Sequence, residues 1–241
     1  MKKNVFKDTV ITTNASLLDK ERAEYIINSG IKVLRVSLYG LDNRTYQITT
    51  RQNRFGFDDI INNIKGFYEI REFLKSSTPF IYIKIMEGLC SGEKMSKFRE
   101  FISEFSDAVG FEYVHDWDGS FNLSEKGGKV NPIEIRYCSK PWYQLSIGIN
   151  GDVRVCCVDW SYATKIGNIN NSSLKSIWNG DEMIRFRRMI VNGDVKQNRA
   201  CRSCTFFKRD SSNPDADNID VVIKSAPMRA LSRYPYKAVP I

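Results

Sequence analysis

Lys32-Val33-Leu34-Arg35-Val36-Ser37-Leu38 is rich in apolar and β-branched residues, which predicts a buried strand. The residues before it form an amphipathic pattern that begins near Ser16 and stops at Gly30, which is typical of a helix ending at a glycine. Ser16, with Asp19 three residues later, resembles a capping box and is predicted to cap this helix. A helix that leads directly into a buried strand predicts a βα unit.

The same alternation continues on both sides of this strand. Upstream, Thr9 to Thr13 is short and β-branched, as expected of a strand. Downstream, the periodicity predicts a helix over 58–74, a strand over 80–86, a helix over 94–105 and a strand over 111–114. Four strands separated by helices favour an α/β fold with a parallel sheet.

Polar and aromatic residues follow each predicted strand. In parallel sheets, ligands bind beyond the carboxyl ends of the strands. This edge is therefore a candidate site, although surface loops are polar in any protein. The residues at the four strand ends are Thr13-Asn14, Ser37 to Gly40, Met86-Glu87 and His115-Asp116-Trp117.

A second region follows a linker rich in Gly, Ser, Asn and Lys at 118–131. Short helices are predicted over Leu174 to Trp178 and over Glu182 to Ile190. The tail from about Asp210 is predicted to be irregular.

Asn150-Gly151 lies between two alternating segments, 144–149 and 152–157. This dipeptide is the strongest short signal for a hairpin with a two-residue turn. Such a turn would place Leu145 opposite Cys156.

Five of the six cysteines lie between residues 138 and 204, and clustered cysteines without a signal peptide indicate metal or redox chemistry. Four thiolates suit either tetrahedral zinc or one [4Fe–4S] cluster, and such a metal can simply staple a domain. Cys157 is predicted to point away on its strand, and Cys90 stands alone. The predicted ligands are Cys138, Cys156, Cys201 and Cys204.

The composition is that of an ordinary globular protein, with 241 residues, 42% of them hydrophobic and 27% charged. No run approaches the roughly 20 apolar residues of a membrane helix, and no apolar signal region follows the N-terminus, so a cytoplasmic protein is expected. The net charge of +8 allows nucleic acid as a partner, but the basic residues are too scattered to favour it. Arg185, Arg187 and Arg188 are interpreted as a solvated helix face.

Several short motifs in the second region occur in a fixed order. They are Cys138-Ser139-Lys140-Pro141-Trp142, Asn150-Gly151-Asp152-Val153, Cys156-Cys157, Ile166-Gly167-Asn168-Ile169, Ile177-Trp178-Asn179 and Cys201-x-x-Cys204. Together they resemble the SPASM domain that follows radical SAM domains. The resemblance implies that Cys138, Cys156, Cys201 and Cys204 hold one auxiliary [4Fe–4S] cluster. No cysteine follows Cys204 to hold a second one.

The first region agrees with this resemblance. Thr12-Thr13-Asn14 followed by a helix is similar to the third strand of a radical SAM barrel, and Val36 to Gly40 is similar to the fourth. The resemblance implies that S-adenosylmethionine (SAM) is bound by Asn14, Ser37 and Arg51, with Arg54 as the alternative to Arg51.

The sequence departs from the family in lacking Cys-x3-Cys-x2-Cys, the motif whose cluster cleaves SAM. The expected fold is a partial radical SAM (β/α) barrel, strands three to six, over 1–120. A small α+β SPASM domain with a hairpin is expected over 121–210, and an irregular tail over 211–241. We expect an N-terminally truncated form of a longer enzyme, because an unpaired first strand would be an exposed edge.

Two functions of different classes follow. An intact parent is expected to cleave SAM and abstract hydrogen from a peptide or small-molecule substrate, with this chain alone inactive. Its substrate side is expected to include Glu87, His115, Asp116 and Trp117. The alternative is a non-catalytic iron–sulfur or zinc module that binds a peptide or a missing N-terminal half through an exposed strand.

Overall fold

The computed structural model describes residues 8–86, 92–112, 138, 140–202 and 204. These residues belong to two compact units, one before residue 113 and one from residue 138 onward. The domain boundaries expected near residues 120 and 210 fall outside the described residues and stay predictions. No helix of the described residues is both long and apolar enough to cross a membrane.

The first unit is built on four parallel strands in the order β1-β2-β3-β4. Its elements are β1 (Val10–Thr13), α1 (Lys20–Asn28), β2 (Val33–Leu38), α2 (Asn43–Thr50), α3 (Phe57–Phe73), β3 (Phe80–Met86), α4 (Glu93–Ser103) and β4 (Ala108–Glu112). The predicted parallel α/β sheet is confirmed. The sequence patterns missed α2, and β4 begins three residues earlier than predicted.

One face of this sheet packs against the helices. In β3 the isoleucines at 81, 83 and 85 are fully buried and belong to one core with Ile60 and Ile64 of α3. Side chains alternate between the faces of a strand, so Tyr82 and Lys84 lie on the opposite face. The alternation therefore fixes which residues of β3 face the helices and which do not.

The cap of α1 differs from the prediction. The N-cap is Asp19, whose Oδ1 accepts a hydrogen bond from the backbone N–H of Arg22 at 2.9 Å. Ser16 instead donates from its backbone N and its Oγ to Asn14 Oδ1, at 3.0 and 2.8 Å. Ser16 is wrong as the cap because residues 15–18 form a turn, closed by Leu18 N to Ala15 O, before the helix begins.

A buried ion pair joins α3 to the loop before β4. Arg71 and Asp107 are only 2% and 6% exposed, and both guanidinium Nη atoms of Arg71 donate to the carboxylate. Asp107 Oδ2 also accepts the backbone N–H of Ile81 at 2.7 Å. Arg71 Nη1 donates to Pro79 O at 2.9 Å. Each buried charge thus has several polar partners, as burial of charge requires.

The second unit contains a small antiparallel sheet in the order β5-β6-β7, with short helices. Its elements are β5 (Ser146–Ile147), β6 (Asp152–Arg154), β7 (Lys165–Asn168), α5 (Leu174–Trp178), α6 (Asp181–Val191) and α7 (Arg199–Arg202). The two helices predicted at 174–178 and 182–190 are confirmed. A small core of Val153, Val155, Ile166, Ile177 and Met183 holds the unit together.

The hairpin forms where Asn150-Gly151 predicts it, but its register differs by one residue. Ser146 pairs with Arg154, and the N–H of Gly148 bonds to Asp152 O at 2.8 Å. Three residues therefore form the loop, and Gly151 has a left-handed φ of +85°. A turn followed by a left-handed glycine is typical of three-residue hairpin loops. The expected Leu145–Cys156 pair is therefore wrong.

Candidate metal centre and the polar edge of the sheet

Four cysteines from three segments of the second unit border one cavity of about 350 Å³, part of which is open solvent. These cysteines are the four predicted ligands, Cys138, Cys156, Cys201 and Cys204. The other residues around the cavity are Lys140, Val155, Val158, Asp159, Thr164, Phe186 and Ala200. The fold thus brings together residues that are up to 66 positions apart.

The loop between β6 and β7 positions Cys156. The carboxylate of Asp159, which is only 1% exposed, accepts the N–H of Thr164 at 2.6 Å and its Oγ1–H at 2.8 Å. Thr164 Oγ1 in turn accepts the N–H of Cys156 at 3.3 Å. Cys156 therefore lies two residues beyond the end of β6, held by a buried polar network rather than by strand pairing.

The Cys201-x-x-Cys204 knuckle is attached to the same loop by one asparagine. Asn198 Oδ1 accepts the N–H of Ala200 at 3.0 Å and that of Cys201 at 3.3 Å. Its Nδ2 donates to Ala163 O at 2.8 Å. The side chain of Asn198 thus caps α7 and fixes the knuckle beside the loop that carries Cys156.

The pKa values of three of the cavity thiols are raised. Burial raises the pKa of Cys138 to about 11, and burial together with the nearby Cys138 and Cys204 raises the pKa of Cys201 to about 12. The hydrogen bond from Cys156 to Cys157, together with burial, raises the pKa of Cys156. Metal binding at such a site must displace protons.

The spacing of the thiols bears on the choice between zinc and a cluster. Tetrahedral zinc with Zn–S bonds of about 2.3 Å needs sulfur atoms about 3.8 Å apart. In the described part of the chain, no three His, Cys, Asp or Glu side chains are grouped closely enough to hold a single metal ion. In a [4Fe–4S] cluster each thiolate binds a different iron, so the sulfurs lie further apart. A [4Fe–4S] cluster therefore needs more widely spaced thiolates than one zinc ion does.

Cys157 is exposed and is not among the residues that border the cavity. It was predicted to lie on a strand, but β6 ends before it. The strand ends at Arg154, and the chain turns so that Cys157 Sγ lies 3.6 Å from Lys140 Nζ. The S–H of Cys156 and the ammonium group of Lys140 lower the pKa of Cys157. Burial alone would lower the pKa of the Lys140 ammonium group, but the nearby Cys157 and Cys156 raise this pKa overall.

Arg187 does not belong to a solvated helix face. Its guanidinium donates to Pro141 O at 3.1 Å and to Trp178 O at 3.2 Å, and it stacks on the Trp178 ring at 4.5 Å. Arg185 and Arg188 are exposed as predicted. The prediction is wrong for Arg187 because α6 packs that side chain against the segment that follows Cys138.

Two of the three predicted SAM-binding residues, Asn14 and Ser37, lie at one edge of the parallel sheet. Asn14 directly follows β1, and Ser37 is the second-last residue of β2. The register Thr13 to Val36 places both residues at the carboxyl ends of neighbouring parallel strands. Arg51 ends α2 in a left-handed conformation and is exposed, whereas the alternative Arg54 stacks on the Phe55 ring at 5.2 Å.

The sequence patterns missed a polar row beside Ser37. Ser37 pairs in register with Lys84, so their side chains share the sheet face opposite the helices. On the same face Arg35 Nε donates to Thr12 Oγ1 at 3.0 Å. The signal in the sequence was the regular isoleucine alternation of β3, which assigns Lys84 to this face.

Several residues expected on the substrate side lie outside the described residues. They are Glu87, His115, Asp116 and Trp117, and the isolated Cys90 lies outside as well. Their proposed roles remain predictions.

Comparison with known families agrees with the cysteine site. Residues 138–205 match the SPASM family, described as an iron–sulfur cluster-binding domain. A curated relative, the S-adenosyl-L-methionine-dependent 2-deoxy-scyllo-inosamine dehydrogenase of Niallia circulans, is 25% identical over 113 residues. That alignment covers 45% of this chain and 45% of the relative, so the match spans about half the length of each protein.

Two solved structures have a similar fold. Streptococcus suis SuiB bound to precursor peptide SuiA gives a TM-score of 0.52 at 18% identity, covering 83% of this chain and 53% of that one. Native anSMEcpe with bound AdoMet gives a TM-score of 0.53 at 12% identity, covering 82% of this chain and 64% of that one. The parallel sheet fits part of a radical SAM barrel, as expected, and the unit that follows fits a small SPASM domain. Residues 138–205 thus match the SPASM family, and the chain as a whole is similar in fold to SuiB and anSMEcpe.

Proposed function

We propose that this chain binds one [4Fe–4S] cluster through Cys138, Cys156, Cys201 and Cys204, as the auxiliary-cluster part of a SAM-dependent enzyme. The observation that supports the proposal is the meeting of these four thiols, from three segments, around one cavity. The cavity lies within the stretch that matches the iron–sulfur family. When bound, such a cluster supplies a one-electron redox centre.

The chain's own residues prepare this site. Val155 and Val158 are 1% and 4% exposed, and with Phe186 they give the cavity an apolar wall that limits access of water. Low exposure to solvent is one of the factors that set the potential of an iron–sulfur cluster. The Asp159–Thr164 hydrogen bonds hold the Cys156 loop in place.

Asn14, Ser37 and Arg51 are proposed to contact SAM. Hydroxyl and guanidinium donors suit a carboxylate such as that of the SAM amino acid moiety. The support in this chain is the position of Asn14 and Ser37 at one edge of the parallel sheet, where ligands of such sheets bind. Lys84 and Arg35 add positive charge to the face that carries Ser37.

For the whole protein we propose reductive cleavage of SAM and abstraction of hydrogen from a peptide or small-molecule substrate. Support for a peptide comes from SuiB, which was solved with its precursor peptide, and support for a small molecule comes from the inosamine dehydrogenase. This sequence of 241 residues has no Cys-x3-Cys-x2-Cys motif. We therefore propose that this polypeptide by itself does not cleave SAM.

The cluster proposal is tested by metal analysis after anaerobic reconstitution. We expect about four irons and about four sulfides per chain. Alanine variants of each of the four ligand cysteines should lose most of this iron, whereas the matched control Cys90→Ala should keep it. Zinc bound in a one-to-one ratio that iron does not replace would rule out the cluster, and about eight irons would reveal a second one.

The SAM proposals are tested by equilibrium dialysis and by product analysis. Loss of one hydrogen bond to a charged group corresponds to about tenfold weaker binding, so we expect this effect from Ser37→Ala and none from Ser96→Ala on α4. Equal SAM affinity of both variants would contradict the role of Ser37. Formation of 5′-deoxyadenosine by the reconstituted and reduced chain alone would contradict its proposed inactivity.

A further inference from the structure

Arg187 joins the segment that follows Cys138 to the helices of the second unit. Its Nε donates to Pro141 O at 3.1 Å, and its Nη1 donates to Trp178 O at 3.2 Å. The guanidinium group also lies over the Trp178 ring, 4.5 Å from the ring centroid. A planar guanidinium group can bond to two carbonyls and stack on a ring at the same time, which an ammonium group cannot do. Arg187 is therefore a bridge between two segments that are distant in the chain.

Arg187 satisfies a carbonyl group at each end of this bridge. Trp178 is the last residue of α5, where carbonyl groups have no partner within the helix, and its side chain packs against the small core of the unit. Pro141 is buried in the 3-10 turn Lys140–Trp142. The two N–H groups that follow this turn both donate to Lys140 O. A buried carbonyl group needs a donor, and Arg187 supplies one to Pro141.

The turn that Arg187 holds is next to Cys138, since only Ser139 lies between them in the sequence. The N–H of Lys140, the first residue of the turn, hydrogen-bonds to the Cys138 sulfur. Two longer contacts also tie this segment to the Cys156 loop. They are Gln144 Nε2 to Val155 O at 3.5 Å and Lys140 Nζ to Cys157 Sγ at 3.6 Å. The position of the Cys138 thiol thus follows the position of the turn.

The other cysteines of the cavity are held by different side chains. The N–H of Cys156 donates to Thr164 Oγ1 at 3.3 Å. The N–H of Cys201 donates to Asn198 Oδ1 at 3.3 Å. Within the described part of the chain, no such bond is formed by the N–H of Cys138. Removal of Arg187 should therefore affect Cys138 before it affects the other cysteines.

We propose that Arg187 is the positioning residue for Cys138 and keeps this thiolate bound to its iron. The inference rests on the proposed function, in which Cys138 is one of four cluster ligands. Without Arg187 the turn loses a hydrogen bond from a charged donor, which is among the stronger hydrogen bonds in proteins. Cys138 then becomes the first of the four ligands to leave the cluster.

The test compares Arg187→Met with Arg188→Met in the reconstituted full chain. Arg188 is the next residue of α6 and is exposed, so it is the matched control. Loss of one hydrogen bond from a charged group corresponds to a factor of about ten. We therefore expect bathophenanthroline, an iron chelator, to take iron from Arg187→Met about tenfold faster than from the wild-type chain. Arg188→Met should release iron at the wild-type rate.

A second measurement identifies the ligand that leaves. One electron is transferred to ferricyanide and one Fe²⁺ then leaves the oxidised [4Fe–4S] cluster, so that a [3Fe–4S] cluster and one free thiol remain. Electron paramagnetic resonance measures the [3Fe–4S] cluster, and alkylation by iodoacetamide followed by peptide mass spectrometry identifies the thiol. In Arg187→Met we expect Cys138 to be alkylated before Cys156, Cys201 and Cys204. A purely structural role of Arg187 would expose these four cysteines alike.

Alkylation of another cavity cysteine before Cys138 would overturn the inference, as would equal iron release from Arg187→Met and Arg188→Met. If Arg187→Met does not load iron, Arg187→Lys is the second variant. It keeps the charge but cannot bridge both carbonyls, and the same order of alkylation is expected. Failure of both variants to load iron would show that the whole site needs Arg187 and would also overturn the inference. Absence of iron from the wild-type chain is a separate result, which would refute the proposed function itself.

Discussion

Replacing Asp107 by asparagine is expected to destabilise the first unit by about 3–5 kcal/mol, since the change leaves a buried guanidinium with only the partly exposed Glu72 as a counter-charge. The carboxylate accepts from both Nη atoms of Arg71 and from the N–H of Ile81. After the change, Arg71 keeps Pro79 O at 2.9 Å and the partly exposed Glu72 at 3.3 Å. These contacts leave its charge poorly compensated, because Arg71 is only 2% exposed.

The loss of stability in the first unit can be measured by urea unfolding that is monitored through hydrogen exchange of the β3 amides. With a slope of about 2 kcal/mol per molar urea, the midpoint should fall by about 1.5–2.5 M. Glu93→Gln is the matched control, because its pair with Lys97 at 2.6 Å is exposed on both sides. An exposed pair contributes about 0–1 kcal/mol. A loss below about 1 kcal/mol in Asp107→Asn would refute the assignment of this pair as a buried support of the sheet.

Two further predictions concern packing and metal loading. Gly40→Ala should cost about 1–3 kcal/mol, because a Cβ there would lie 2.6 Å from backbone atoms of Tyr46. Gly66→Ala in α3, where nothing lies within 4 Å, should instead raise the free energy of unfolding by about 0.5–1 kcal/mol. Equal urea midpoints for the two variants would contradict this packing argument. Cluster loading at fixed iron and sulfide should rise from pH about 6 to about 9, because Cys138 and Cys201, with pKa values raised to about 11 and about 12, release protons more readily as the pH rises. Loading that is independent of pH over this range, measured as iron per chain, would contradict that reasoning.

Local periodicity was sufficient for most elements of the first unit. The alternating β3 was predicted with the bounds that the structure shows, Phe80–Met86, because period-two patterns depend only on neighbouring residues. The short α2 was missed because Asn43–Thr50 buries only Tyr46 and so has almost no apolar stripe. Its start depends on Asp42, whose side chain accepts the N–H of Thr45 at 2.8 Å.

The four cysteines of the candidate metal site were predicted from the sequence, but the local structure around them was not. Residue type and spacing singled out the four cysteines that border one cavity. The same reasoning assigned Cys157 to a strand and paired Cys156 with Leu145, because the hairpin was taken to have a two-residue loop. One additional loop residue changes the register, and a shift of one residue moves side chains to the other face.

The parallel α/β class, the position of the hairpin and the set of clustered thiols could be predicted from the amino-acid sequence, since these features depend on local period and on residue type. The three-dimensional structure was needed to show that Arg71 meets Asp107, that Arg187 stacks on Trp178, and that Lys140 borders the thiol cavity. These contacts join residues that are distant in the chain or turned by a local bend. Their partners are chosen by burial, because a charge withdrawn from water needs the nearest polar groups that the whole fold can supply.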